Sequence, residues 1–226
     1  MNSIIKSVIL LLSVIFIFYS CTNKEGEGEG EMNEQKTFST PEDAAAKAKN
    51  DLIQVLETNK EIDLGIDVTR LRESELAGLV RYVEVDFRKI LTTDSVRSLS
   101  EIVAYKKSMI APFVLKNNVV GIAEIGEVDK GWKIIGLGNK ALTEDLNITR
   151  VALDKSTVVT VYEVPNLQLT IYGVRKDVAE TYFLNFGKYT LRDSVAISDF
   201  YPTIHENALR FQKEFGDKLK KEKLVK

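Results

Sequence analysis

Three stretches between Tyr105 and Leu137 set most of what this chain can become. Tyr105–Leu115, Val119–Val128 and Trp132–Leu137 are rich in β-branched and aromatic residues, and only Lys116-Asn117-Asn118 and Asp129-Lys130-Gly131 separate them. Parallel neighbours need a long crossover, whereas polar turns this short join antiparallel strands into hairpins. The spacing therefore predicts an antiparallel meander. Upstream, Arg81-Tyr82-Val83-Glu84-Val85-Asp86-Phe87 alternates with period two, which suits a strand with one wet face. Downstream, strand-forming runs predict strands over Thr157–Val164, Leu167–Val174 and Glu180–Phe186, with a turn at Pro165-Asn166.

Helical patterns flank these strands. Thr40-Pro41-Glu42-Asp43 offers a capping threonine, proline at the first helical position and acids where the helix dipole favours them. Ala45, Ala48, Leu52, Val55 and Leu56 then recur at helical spacing. Residues 71–79 are ambiguous, compatible with a short helix, and a helical turn is expected before Val103. A second helix is expected from Lys140 to Leu153, and a closing one from Tyr201, where Ile204, Ala208, Phe211, Phe215 and Leu219 form a stripe. Strands in the middle with helices at both ends argue for α+β: an antiparallel sheet of hairpins packed with N-terminal and C-terminal helices on one face.

Charge narrows the partners. The formal net charge is -2, so no long-range field favours nucleic acid. The lysines after Lys213 are interleaved with Glu214, Asp217 and Glu222, the pattern of a solvated helix end.

The N-terminus carries an address. Lys6 precedes an apolar run from Ser7 to Tyr19, and Ser20-Cys21 follows, the layout of a secretory signal peptide too short to be a comfortable membrane span. Phe18-Tyr19-Ser20-Cys21 resembles the lipobox of bacterial lipoproteins, in the loose form found in the Bacteroidota, where the residue just before the cysteine matters most. The resemblance implies cleavage after Ser20 and lipidation of Cys21 by a diacylglycerol thioether, usually with a further acyl chain such as palmitate on the new amino group. Thr22 in place of the retention aspartate of enterobacterial lipoproteins points to the outer membrane, facing the periplasm or the cell surface. Lys24-Glu25-Gly26-Glu27-Gly28-Glu29-Gly30-Glu31 is too polar to fold and reads as an extended acidic tether. It also resembles the surface-export signals of such lipoproteins. The expected organisation is a signal peptide over 1–20, a tether over 21–36 and one globular domain over 37–226, with two diverged halves at 37–138 and 139–226 as a further option.

Because Cys21 is the only cysteine, lipidation leaves a body without thiols. No disulfide and no cysteine-ligated metal can support it. His205 is the only histidine, which rules out histidine clusters for zinc and gives no catalytic set; no cofactor and no metal are expected. Gly136-Leu137-Gly138-Asn139-Lys140-Ala141 has the spacing of the dinucleotide fingerprint. Its strand belongs to a meander, so it reads as a glycine-rich turn from strand to helix.

Two further patterns concern sites. Phe87-Arg88-Lys89 with Asp94-Ser95-Val96 recurs as Phe186-Gly187-Lys188 with Asp193-Ser194-Val195 at one constant offset, a candidate duplication. Both Asp-Ser-Val triplets resemble the O-glycan acceptor pattern of exported Bacteroidota proteins, so Ser95 and Ser194 are read either as helix-cap or turn residues or as glycan acceptors. Trp132, Tyr162, Tyr172, Tyr182 and Phe183 form a candidate carbohydrate- or peptide-binding face, or ordinary sheet packing. The functional expectation is a membrane-anchored binding or assembly factor without catalysis, whose partners are membrane lipid through Cys21 and an envelope protein, peptide or glycan. The alternative is a glycan hydrolase using Glu84, Asp86 or Glu124, because two carboxylates suffice for glycoside chemistry.

Overall fold

A computed structural model describes residues 37–59, 61, 64–104, 108–149, 151, 153, 157–176 and 179–221, with side chains to 216. Cys21 and the stretches expected to be a signal peptide and a tether lie outside these residues. Helix α1 (Pro41–Thr58) begins as the sequence dictates: the Thr40 hydroxyl accepts a hydrogen bond from the Asp43 amide at 3.1 Å. Its face of Ala44, Ala45, Ala48 and Leu52 is fully buried. The ambiguous stretch resolves into α2 (Val68–Glu73), capped by Asp67, and a short β1 (Glu75–Leu76).

β2 (Val80–Glu84) is shorter than its alternation predicts, because Asp86 stops it. The Asp86 carboxylate accepts the Arg88 amide at 3.0 Å and caps α3 (Phe87–Thr92), so Phe87 opens a helix instead of closing a strand. A 3-10 turn over Leu99–Ile102 follows, capped by Ser98. The meander forms as expected, with β3 (Ser108–Leu115), β4 (Asn118–Val128) and β5 (Gly131–Leu137). Lys116 and Asn117 both take positive φ, at 50° and 64°, which a tight hairpin turn demands. Then come α4 (Lys140–Thr149), β6 (Val158–Val164), the 3-10 turn Pro165–Leu167, β7 (Leu169–Lys176), β8 (Ala179–Leu184) and α5 (Ile197–Lys221). α5 starts four residues before the expected Tyr201, carrying Pro202 inside its early turns.

The strands form one sheet in the order β5-β4-β3-β2-β6-β7-β8, with β1 also pairing β3. The fold is α+β and every pairing is antiparallel except β2 with β6, whose parallel register joins two antiparallel runs. The first run comes from residues before 138 and the second from residues after 157. Helices were expected on one face; they occupy both. α1 covers Ala111, Phe113, Ala123 and Ile125, and α5 covers Tyr162, Val164, Ile171 and Tyr182. Leu142 and Leu146 of α4 pack on Val80, Ile110, Ile122, Val159 and Val161, which point the opposite way. Both faces of the central strands are apolar, so burial on one side alone would leave a hydrophobic sheet in water. Asn147 locks α4 down, its side-chain amide bonding both the amide and the carbonyl of Val119 at 2.8 Å.

Both outer edges are blunted. Phe38 exchanges two backbone hydrogen bonds with Trp132 on β5, and Val195 does the same with Tyr182 on β8. The recurring Phe-x-Lys pattern does not recur in backbone: Phe87-Arg88-Lys89 is helical, whereas Phe186 to Tyr189 is a tight bridged turn.

Candidate functional site

Of the residues singled out by sequence, Glu84 and Glu124 come together around Tyr82, and the others do not converge. His205 turns its Nδ1 to the Ile90 carbonyl at 2.7 Å, tying α5 to α3, and its Nε2 lies 3.6 Å from exposed Asp94. Asp86 is a helix cap. Ser95 and Ser194 lie in exposed loops, and the serine that caps the neighbouring 3-10 turn is Ser98. The Gly136–Ala141 segment is a turn from β5 into α4, in which Gly138 takes φ 73° and the Asn139 side chain caps the helix at the Leu142 amide. Glu124 stands against Gly136, so its charge opposes a pyrophosphate there. The five aromatics also separate: Tyr162 and Tyr182 face α5, Tyr172 and Phe183 face the other side, and Trp132 packs beside α1 at the far edge.

Glu124 and Tyr82 share a small hollow of about 70 Å³ with Asn139 and Leu142. The Tyr82 hydroxyl donates to Glu163 at 2.7 Å. Burial, then that bond and the charges of Glu163, Glu124 and Glu84, hold this phenol protonated well above the ordinary tyrosine range. Tyr172 likewise donates to Asp145 at 2.7 Å and is raised by burial first and by Asp145 second. Among the described residues no group of three or more His, Cys, Asp or Glu side chains could hold a metal.

A second polar cluster ties the C-terminal strands to the loop before β3. Glu180 accepts from Tyr162 at 3.0 Å, from Tyr182 at 2.5 Å and from Ser98 at 2.6 Å, while the Tyr182 oxygen also takes the Leu99 amide at 3.2 Å. Gly173 makes room for it: a Cβ there would fall 2.7 Å from the Glu180 carboxylate and 2.7 Å from the Tyr162 ring. Every donor is used, which marks a structural lock. Replacing Glu180 by Ala removes the acceptor of Tyr162 and leaves Tyr182 and Ser98 only their weaker links to Ser98 and Ser100, and the expected loss of unfolding free energy is about 2 kcal/mol, with Glu180→Gln losing less than half of that. Urea denaturation checks this; a loss under about 1 kcal/mol for the alanine variant rules the lock out.

The open chemistry lies elsewhere, along the second half of α5. Its buried stripe of Phe200, Tyr201, Ile204 and Ala208 continues into Phe211 and Phe215, which run over the turn between β6 and β7. Phe211 stacks edge-on against Phe87 at 5.6 Å and tilts against Phe215 at 5.1 Å. A cleft of about 510 Å³ opens between this helix and the 3-10 turn. Pro165, Leu167, Phe186, Phe211 and Phe215 supply its apolar surface. Asn166, Gln168, Asn207, Arg210 and Glu214 supply its polar one. Gln168 closes the turn at φ 50°, leaving its side chain exposed. Arg210 donates to the Asn207 side chain, which in turn donates to the Thr203 carbonyl at 2.7 Å. Sequence reasoning placed Phe211 and Phe215 in a core stripe and Pro165-Asn166 in a turn; nothing in it brought the two together. Compared with family models, curated proteins and solved structures, the chain gives no match.

Proposed function

We propose that this chain is a lipid-anchored envelope protein, held at the outer membrane through Cys21, that acts as a binding or assembly factor without catalysing a reaction. The cleft beside α5 carries the reading. Its volume of about 510 Å³ falls among small-molecule and peptide clefts of roughly 300–1,000 Å³, and it mixes rings with convergent polar groups. The carboxylates considered for hydrolysis have less to work with. Asp86 holds a helix end, and the hollow at Glu124 is about 70 Å³, several-fold below the roughly 300 Å³ at which ligand clefts begin.

Anchor and cleft are separately testable in the full chain. Cys21→Ala is expected to move nearly all of the protein from the membrane fraction to the soluble one, and retention in the membrane sinks the anchor. A photo-crosslinking residue at Gln168 is expected to trap an envelope component that the same residue at Glu144, exposed on α4, does not trap. Identical products from both positions, or glycan turnover by the pure protein that Glu124→Gln abolishes, overturns the binding reading.

A further inference from the structure

We infer that the cleft beside α5 takes a neutral glycan; this rests on the reading of that cleft as a binding site. The apolar lining is made almost entirely of rings. Among the described residues Phe186, Phe211, Phe215 and Pro165 bring rings to it, with Leu167 as the one open-chain apolar residue. Flat rings suit the flat carbon–hydrogen faces of a pyranose, whereas a branched aliphatic side chain is better held by a closed, fully desolvated pocket.

The polar lining has a matching character. Asn166, Gln168, Asn207, Arg210 and Glu214 are all planar forks: amide, guanidinium or carboxylate. Asn166, Gln168 and Glu214 place two polar atoms side by side, which can engage adjacent hydroxyls on a sugar ring as paired donors, paired acceptors or one of each, while Asn207 is held by Arg210 and the Thr203 carbonyl. Among the described residues no lysine, the point charge suited to phosphate or sulfate, lines the cleft.

Charge completes the match. Among the described residues one cation, Arg210, and one anion, Glu214, line the site, so their charges sum to zero and offer no field to concentrate an ionic ligand. An extended peptide would be drawn instead to an open sheet edge, and each outer edge already carries a two-bond bridge at Trp132 or Tyr182. The neighbouring rings Phe211 and Phe215, 5.1 Å apart and inclined by 40°, set two aromatic surfaces side by side along the helix.

The test uses the full lipidated chain in nanodiscs, applied to an array of neutral and anionic oligosaccharides and, in parallel, to a random peptide array. Binding to at least one neutral oligosaccharide is expected, weakened tenfold or more by Gln168→Ala and by Glu214→Ala. Both positions are exposed, and an unchanged unfolding midpoint for each variant separates lost contact from lost fold. Absence of neutral-glycan binding overturns the inference, as does neutral-glycan binding that both variants leave intact. Binding confined to anionic glycans or to peptides, and lost in the same variants, overturns the glycan assignment while leaving the binding role of the cleft standing.

Discussion

Alkaline solution is expected to unfold this protein well before its ordinary surface groups would explain it. Tyr162, Tyr172 and Tyr182 are at most 2% exposed, and burial, reinforced by Glu180 or Asp145, raises all three phenols above the usual value. In the unfolded chain they ionise near pH 10. Below that pH both states keep the protons and the stabilisation is complete. Above it the unfolded state loses protons first, so stability falls as pH rises until the folded phenols ionise too. Each tyrosine contributes at most about 1.4 kcal/mol per pH unit, less where its hydroxyl reaches solvent. Together with Tyr82 and Tyr201, whose phenols burial also raises, they set a slope on the order of 5 kcal/mol per unit beginning near pH 10. Urea midpoints measured from about pH 8 to pH 11 check this, and Tyr172→Phe should flatten the fall by roughly a fifth. A flat profile, or one unchanged by Tyr→Phe variants, refutes it.

Phe200→Ala is expected to cost about 3–5 kcal/mol, a large share of the roughly 5–15 kcal/mol available to a protein of this kind. Phe200 is 0% exposed and stands edge-on to Tyr182 at 5.3 Å. It is the point where α5 meets β8, with Tyr201, Ile204 and Ala208 filling the same cluster. Truncation removes the ring and leaves a cavity that the rigid sheet below cannot close. At about 2–4 °C per kcal/mol, the thermal midpoint should drop by roughly 6–20 °C. Phe200→Leu should recover more than half of the loss, because it restores most of the volume. A midpoint within about 3 °C of the parent for the alanine variant excludes Phe200 as an anchor of α5.

Local signals were legible where chain geometry alone produces them. The Thr40 cap, the Lys116-Asn117 turn and the meander from β3 to β5 each depend on contacts a few residues apart. Asp86 shows the limit: alternation carried the strand through Phe87, and a side-chain oxygen two residues from an amide redirected the chain into α3. The alternation at Tyr82 and Val83 was readable, but not that both faces would be half-buried, since that depends on α4 and α5 arriving from opposite sides. The Glu180 cluster joins Ser98, Tyr162 and Tyr182 across 84 positions of sequence, with only Gly173 as a local trace.

The same division runs through function. Sequence alone determined the α+β class and the presence of one cysteine, Cys21, and one histidine, His205, because these follow from composition, period and short spacing. Tertiary structure decided which aromatics are core and which line a surface. Phe211 and Phe215 continue the periodic stripe of Ile204 and Ala208 without a break, and only the position of the β6–β7 turn opens a cleft beside them. A helical stripe records which side of a helix is apolar; how far its partner sheet extends beneath it is a property of the packed fold.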